Sequence, residues 1–302
     1  MQNSPCGVLI VNKHGGVTSH DIVGKVRRLY STRAVGHTGT LDPLATGVLV
    51  VLIGRAAKAA EYLVSDRKEY RATIRLGIVT DTEDVTGEIL STSDAIPTPD
   101  EVERVCESFV GKSKQIPPMY SALKVGGRKL CDLAREGKVI EREARDIEIF
   151  SLACTSTDKP DEYVLDVKCS SGTYIRTLCA DIGTALGCGG AMATLERREA
   201  GGFDISRAYS ISELEEMSEE ERLNCLLPTE SLFSDLAEIT LPAFYEKLAR
   251  NGCEIYQKKI KTSFVLGERL RMISREGVFY ALGEVKEYGD ETAIKIIKLF
   301  QV

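Results

Sequence analysis

The first regular pattern in the chain is Val8-Leu9-Ile10-Val11, an unbroken apolar and largely β-branched run that predicts a short buried strand. Ser19 then reads as the cap of a helix whose apolar positions Ile22, Val23, Val26, Leu29 and Tyr30 share one face. Residues 31–46 have no period and are rich in Gly, Thr and Pro, so they read as a loop. Residues 48–53 predict a second buried strand and 55–63 a helix. From Tyr70 to Ile78 every second residue is apolar, opposed by Arg71, Thr73 and Arg75, the signature of a half-exposed strand. Thr98-Pro99-Asp100-Glu101 combines a capping box with a proline at the first helical position, and the helix that follows buries Val102, Val105, Cys106 and Phe109. Residues 111–145 are basic, weakly periodic and contain Gly126-Gly127, which predicts a long mobile insertion. A strand over 163–169, a helix over 173–186 closed by Gly187, and an acidic helix over 211–222 follow. A new unit starts near Leu241, with a helix between Pro242 and Gly252 and short strands after it. Strands and helices alternate without a regular βαβ repeat, so the class is α+β.

Composition narrows the setting. The 302 residues are 43% apolar and 28% charged, an ordinary globular balance. No apolar run approaches the roughly 18–20 residues of a spanning helix, and Met1-Gln2-Asn3-Ser4-Pro5 does not lead from basic residues into an apolar core. Nine cysteines without a C-x-x-C pair argue against a disulfide framework or a thiolate zinc site. The expectation is a reduced, cytoplasmic protein.

The net charge of −6 argues at first against a nucleic-acid partner. Its distribution reverses that. Residues 81–110 and 204–240 each carry −8, whereas 1–60 carry +5, 111–145 carry +5 and 241–302 carry +3. Removing the two acidic blocks leaves +10 on the rest, so a basic working face with the acidic blocks turned away from it is expected, although such blocks can also be plain solvated faces.

Several motifs fail on inspection. Val110-Gly111-Lys112-Ser113 resembles the end of a P-loop, but Cys106 stands where the upstream glycine is required. His14, His20 and His37 lack carboxylate or Cys partners at metal-ligand spacing. The informative stretch is 36–47, Gly-His-Thr-Gly-Thr-Leu-Asp-Pro-Leu-Ala-Thr-Gly, in which a single carboxylate, Asp42, sits among apolar neighbours on a loop fixed by Gly and Pro. A carboxylate so placed suits a shielded nucleophile. By spacing alone an Asx-turn leading into the next strand fits better.

This stretch resembles the catalytic motif G-H-T-G-x-L-D-P-x-A-x-G of the TruB family of tRNA pseudouridine synthases. The resemblance extends along nearly the whole chain: residues 7–13 and 16–21, Lys68-Glu69-Tyr70-Arg71 with Leu76-Gly77 and Thr80-Asp81-Thr82, residues 117–124, Gly172-Thr173-Tyr174-Ile175-Arg176, and Leu195 and Arg197 with Gly201-Gly202-Phe203. His14 and Cys131 depart from the family's usual Pro and Tyr. The resemblance implies the pseudouridine synthase fold, a central mixed, mostly antiparallel sheet flanked by helices and loops. It places a catalytic domain over 1–235 with a basic RNA-clamping insertion at 111–145, and a small PUA-like β domain over 240–302. It implies isomerisation of uridine 55 in the T-loop of tRNA by a monomer that needs no metal, no organic cofactor and no membrane; length and the lack of basic tails match the bacterial stand-alone type.

Residue by residue, the resemblance makes Asp42 the essential carboxylate, either attacking the ribose carbon or acting on the 2′ proton to give a glycal. Burial disfavours an ionised carboxylate and a neighbouring cation offsets the cost; Arg176 matches the family's partner for this aspartate. Tyr70 would stack on the target base and take part in proton transfer, though its alternating pattern reads equally as core. Leu195 would wall the uracil pocket, with Lys13 and Tyr174 as supports. His37 would fill the vacancy left by the extruded base. Lys124, Arg128 and Lys129 would meet phosphates. The competing readings are an RNA-binding chaperone that folds tRNA with chemistry secondary, and a small-molecule nucleoside glycosidase that would have no use for the basic insertion.

Overall fold

In the computed structural model, residues 5–63, 67–121 and 123–301 are described. Nine strands form the main sheet: β1 (Gly7–Lys13), β2 (Val35–His37), β3 (Thr46–Ile53), β4 (Arg67–Leu76), β5 (Gly111–Gln115), β6 (Arg145–Ser156), β7 (Glu162–Ser170), β8 (Gly190–Ala200) and β9 (Phe203–Asp204). Their spatial order is β1-β3-β8-β4-β7-β6-β5, with β2 on β3 and β9 on β8. The β8–β3 pair is parallel and the others are antiparallel, so the sheet is mixed and mostly antiparallel and the class is α+β.

The unbroken apolar runs of β1 and β3 follow from burial on both faces. Helix α1 (Ser19–Leu29) lays Ile22, Val23 and Val26 on Leu9, Val11, Leu49, Val51 and Ile53. The alternate positions Val8, Ile10, Val48, Val50 and Leu52 pack on Ala56 and Phe203 from the other side. Helices α2 (Pro99–Ser108) and α3 (Ile175–Ala185) bury Val102, Cys106, Ile175, Leu178 and Ile182 against Ile74, Leu76 and Val167 of the alternating strands. A second, five-stranded sheet takes the strands Ala237–Thr240, Arg269–Ile273, Phe279–Tyr288, Glu291–Leu299 and Ile255–Tyr256 in that order. It leans on the first unit through Ala59 and Phe233 packed with Phe279, Leu282 and Phe300. Among the described residues no helix is long and apolar enough to cross a membrane.

Several local expectations are corrected. Thr18, not Ser19, caps α1: its hydroxyl accepts from the Asp21 N–H, and the Asp21 carboxylate accepts from the Thr18 N–H. The segment 31–46 is not all loop, because Val35–His37 pairs with β3. Residues 54–62 form a 3₁₀ helix, whose three-residue turn puts Ala56 and Ala59 on one buried line. The alternating strand ends at Leu76; Gly77, at φ +79°, turns the chain into the hairpin Ile78–Thr80/Ile89–Thr92. The insertion is not uniformly irregular. Its first five residues are the edge strand β5, so Gly111-Lys112-Ser113 lies in a sheet rather than a phosphate loop. A hairpin of Lys124–Val125 with Arg128–Lys129 and a helix Leu130–Arg135 follow. The acidic helix is two helices, Ile211–Glu216 and Glu219–Asn224, because Ser210/Glu213 and Ser218/Glu221 each make a capping box and Met217 between them is extended. The second sheet starts at Ala237, ahead of Leu241.

The parallel β3–β8 contact is unusually close at Gly47, which pairs with Arg197. Gly47 has φ +97°, and a Cβ there would overlap the Arg197 backbone. Gly47→Ala combines a strained backbone with a steric overlap and is expected to lower unfolding stability by about 3 kcal/mol; denaturant unfolding of the two proteins measures it.

Candidate active site on the central sheet

The sheet register builds the site. Across β1, β3, β8 and β4, Lys13 pairs with Gly47, Gly47 with Arg197, and Arg197 with Tyr70. Residues directly opposite in neighbouring strands share a face, so the two cations and the phenol are brought onto one side. Leu195, two positions before Arg197, pairs with Ala72 and is 8% exposed.

The loop carrying Asp42 lies over this row and is held at several points. The Ser19 hydroxyl donates to the Leu41 carbonyl (3.1 Å) and accepts from the Leu41 N–H (2.8 Å). Lys13, fully buried, donates from Nζ to the carbonyls of His14 (3.0 Å) and Pro43 (3.3 Å). Arg197, 1% exposed, donates from Nε to the Val48 carbonyl (2.7 Å), from Nη2 to Gly39 (3.0 Å) and from Nη1 to Thr40 (3.5 Å). One guanidinium thus grips the backbone on both sides of the aspartate.

Arg176, the second residue of α3, is 4% exposed and faces the Asp42 carboxylate. Its Nε is 2.8 Å from Oδ2 and its Nη2 is 3.3 Å from Oδ1, a two-point contact that fixes the plane of the carboxylate. The rest of the guanidinium donates to the carbonyls of Thr82 (2.8 Å) and Tyr120 (2.7 Å). Asp84 stands 3.9 Å from Nε as a second, buried carboxylate, itself accepting from Thr82 and Thr86. The Arg176 side chain is sealed in, whereas the Asp42 side chain keeps 35% of its surface open, so the carboxylate is the exposed member of the pair.

Of the other candidates, Tyr70 is 8% exposed; burial raises its pKa, so the hydroxyl stays protonated near neutrality. Tyr174 immediately precedes α3, and its backbone is pinned by the Gln115 amide in both directions (2.8 and 3.1 Å). His37 ends β2; burial first, then the charge of Arg197, lowers its pKa, so the ring is neutral at neutral pH. Lys13, Asp42, Tyr70, Arg176 and Leu195 are therefore gathered by the sheet and by α3. Arg128 lies apart, exposed on the hairpin and paired with Glu136. The side chains of Lys124 and Lys129 lie outside the described residues.

Sequence reading passed over three contributors. Arg197 carries no role in the sequence pattern, because strand β8 is not legible from its mixed polar and apolar residues. The Thr82 carbonyl and Asp84 belong to the acidic block expected to face away, yet Asp81 accepts from the Tyr120 hydroxyl (3.1 Å) and Asp84 abuts Arg176. That expectation is corrected: a mostly buried arginine needs more than one acceptor, and the start of the 81–110 block supplies them. Glu83, in the left-handed region at φ +64°, turns the chain so that Thr82 and Asp84 both face the guanidinium.

The model of the TruB family pseudouridylate synthase N-terminal domain matches residues 27–175, and that of the tRNA pseudouridylate synthase B C-terminal domain matches 176–234. The tRNA pseudouridine synthase B of Alkaliphilus oremlandii is 41% identical over 296 residues, covering 97% of this chain and 98% of its own. That of Clostridium perfringens strain 13 is 41% identical over 295 residues, covering 97% and 98%. Among solved structures, a Cbf5-Nop10-Gar1 complex aligns over 98% of this chain and 85% of the matched one, with a TM-score of 0.74 at 22% identity. An archaeal box H/ACA sRNP Nop10-Cbf5 complex gives 0.72 at 21% identity, over 99% and 87%. These structures share the fold.

The buried lysine has a measurable signature. Burial lowers the Lys13 pKa to about 8, with Asp42 opposing the shift and Arg197 adding to it. Between about 8 and the ordinary value of 10.5 the unfolded chain binds a proton there that the folded chain does not. Stability therefore rises with pH across that window. Unfolding free energies measured from pH 7 to 11 should contain this increment in the native protein and lack it in Lys13→Met.

Proposed function

The chain belongs to the TruB family of pseudouridine synthases, and from that premise we propose that it isomerises uridine to pseudouridine at position 55 in the T-loop of tRNA. The observation that carries the reading is the half-open Asp42 carboxylate fixed at two points by the sealed Arg176 guanidinium. The curated relatives named tRNA pseudouridine synthase B support tRNA as the substrate.

In this reading the uridine is extruded from its loop, an expense of a few kcal/mol, and settles between Tyr70 and Leu195. The neutral His37 ring stacks into the space it leaves. Arg176 holds the Asp42 carboxylate toward the ribose, where it either attacks C1′ or removes the 2′ proton. The C1′–N1 bond breaks with its electron pair going to the uracil; the ring turns, C5 bonds to C1′, the C5 proton departs and N1 ends protonated. The product is an isomer of the substrate, so atoms and electrons balance without a redox partner. Tyr70, beside the ring, takes part in the proton transfer at C5. Lys13 and Tyr174 support the pocket from below. Residues 1–235 act as the catalytic unit, the segment 111–145 with Lys124, Arg128 and Lys129 clamps the T-arm, and the PUA-like sheet of 240–302 grips the acceptor-stem side. The protein acts as a cytoplasmic monomer.

Asp42→Asn keeps the shape of the side chain and removes its negative charge. It is expected to reduce pseudouridine formation on a tRNA transcript by about 10³-fold or more while leaving RNA affinity within a few-fold. Undiminished turnover in that variant would contradict the assignment; tRNA binding is measured alongside it.

A further inference from the structure

Behind the Asp42 loop lies a cavity of about 610 Å³, bordered by Gly39, Lys68, Ser171, Arg197, Phe203 and Leu232. Lys68 is two residues before Tyr70 on β4 and so projects to the same face. Its Nζ donates to the Ser171 hydroxyl (3.3 Å). A Cβ built on Gly39 would lie 3.5 Å from Arg197 Nη1 and 3.9 Å from Lys68 Nζ, so both cations border the space that this glycine leaves without a side chain. Among the described residues neither makes an ion pair with a carboxylate. Glu199 and Asp235 also border the cavity but pair with neither.

The charge around the loop is unbalanced. Lys13, Lys68, Arg176 and Arg197 converge there; Asp42 and Asp84 are both turned to Arg176, and among the described residues no carboxylate pairs with Lys68 or Arg197. Lys68 feels the imbalance: burial, then repulsion from Arg197, lowers its pKa. Two like charges held side by side in a partly desolvated cavity are unfavourable unless an anion completes the group. The glycine between them leaves the loop backbone without a side chain in the way.

We propose that Lys68 and the edge of Arg197 form a site for one phosphodiester group of the RNA strand, one or two linkages from the reacting uridine. Gly39 precedes Asp42 by three residues, which bounds their separation at about 11 Å of chain. A phosphate there neutralises the pair and anchors the strand on the far side of the loop from Arg176, so the ribose is fixed from two directions. The inference rests on the RNA substrate of the preceding reading and adds a subsite to it.

The test measures binding of a T-arm stem-loop RNA across a range of salt, with native protein, Lys68→Met and Lys68→Arg, after thermal melts show that each variant is folded. Lys68→Met is expected to bind about 10-fold more weakly and to lower the slope of log affinity against log salt by about 0.7–0.9, the value of one phosphate contact; Lys68→Arg retains both. A scan of single methylphosphonate linkages around the target should find one position that weakens native binding about 10-fold and leaves Lys68→Met unaffected. Unchanged affinity and slope in Lys68→Met would overturn the site, as would losses from variant and linkage that simply multiply at every position. Pseudouridine formation by the native protein is read separately. Its absence would refute the functional reading, while coupling between Lys68 and one linkage is a binding result that does not depend on it.

Discussion

The buried guanidinium of Arg197 is the constraint on which the site's geometry depends. It stands on the central strand β8, opposite Tyr70 on one side and Gly47 on the other, and donates to the backbone both before and after Asp42. This buried arginine has no carboxylate partner among the described residues and is satisfied by carbonyl oxygens, which pull the loop onto the sheet. The parallel β3–β8 contact needs a residue without Cβ at 47, and so the loop must end in glycine. Sheet register, loop path and the position of the phenol are consequences of one arrangement. The chemistry is then placed on top by a second arginine from α3, which arrives from the other direction and fixes the carboxylate itself.

The two arginines divide the work by their acceptors. Arg176 spends its donors on one carboxylate and two carbonyls, so its charge is matched and its orientation serves Asp42. Arg197 spends its donors on carbonyls, so its charge is left over and adds to burial, the larger cause, in lowering the pKa of the neighbouring Lys68, Lys13 and His37. A surplus of positive charge beneath a half-open aspartate is poorly suited to a neutral small substrate and well suited to a nucleotide embedded in a polyanion. The net charge of the chain conceals this, because the acidity is carried in separate blocks.

Much of this was legible in the sequence where a pattern is local. The apolar runs of β1 and β3, the alternation in β4 and the face of α1 follow from burial, and Asp42 and Arg176 stood out through their motifs. What escaped depends on partners distant in the chain. β8 mixes Thr194, Glu196, Arg197 and Arg198 with a register shift between Met192 and Thr194, so its alternation is broken and no strand is legible there. β5 is a polar edge strand with exposed Lys112, Ser113 and Lys114, indistinguishable from a basic loop until β6 is beside it. Asp84 was read as part of a solvated acidic block because its neighbour Arg176 lies far along the sequence. Thr18 and Ser19 are both competent caps; which one turns inward is decided by Leu41.

The most direct measurement is to incubate an unmodified tRNA transcript with the native protein and map pseudouridine by chemical probing at single-nucleotide resolution. The account predicts one modified position, uridine 55 of the T-loop. A transcript left unmodified, or one modified elsewhere, would contradict it.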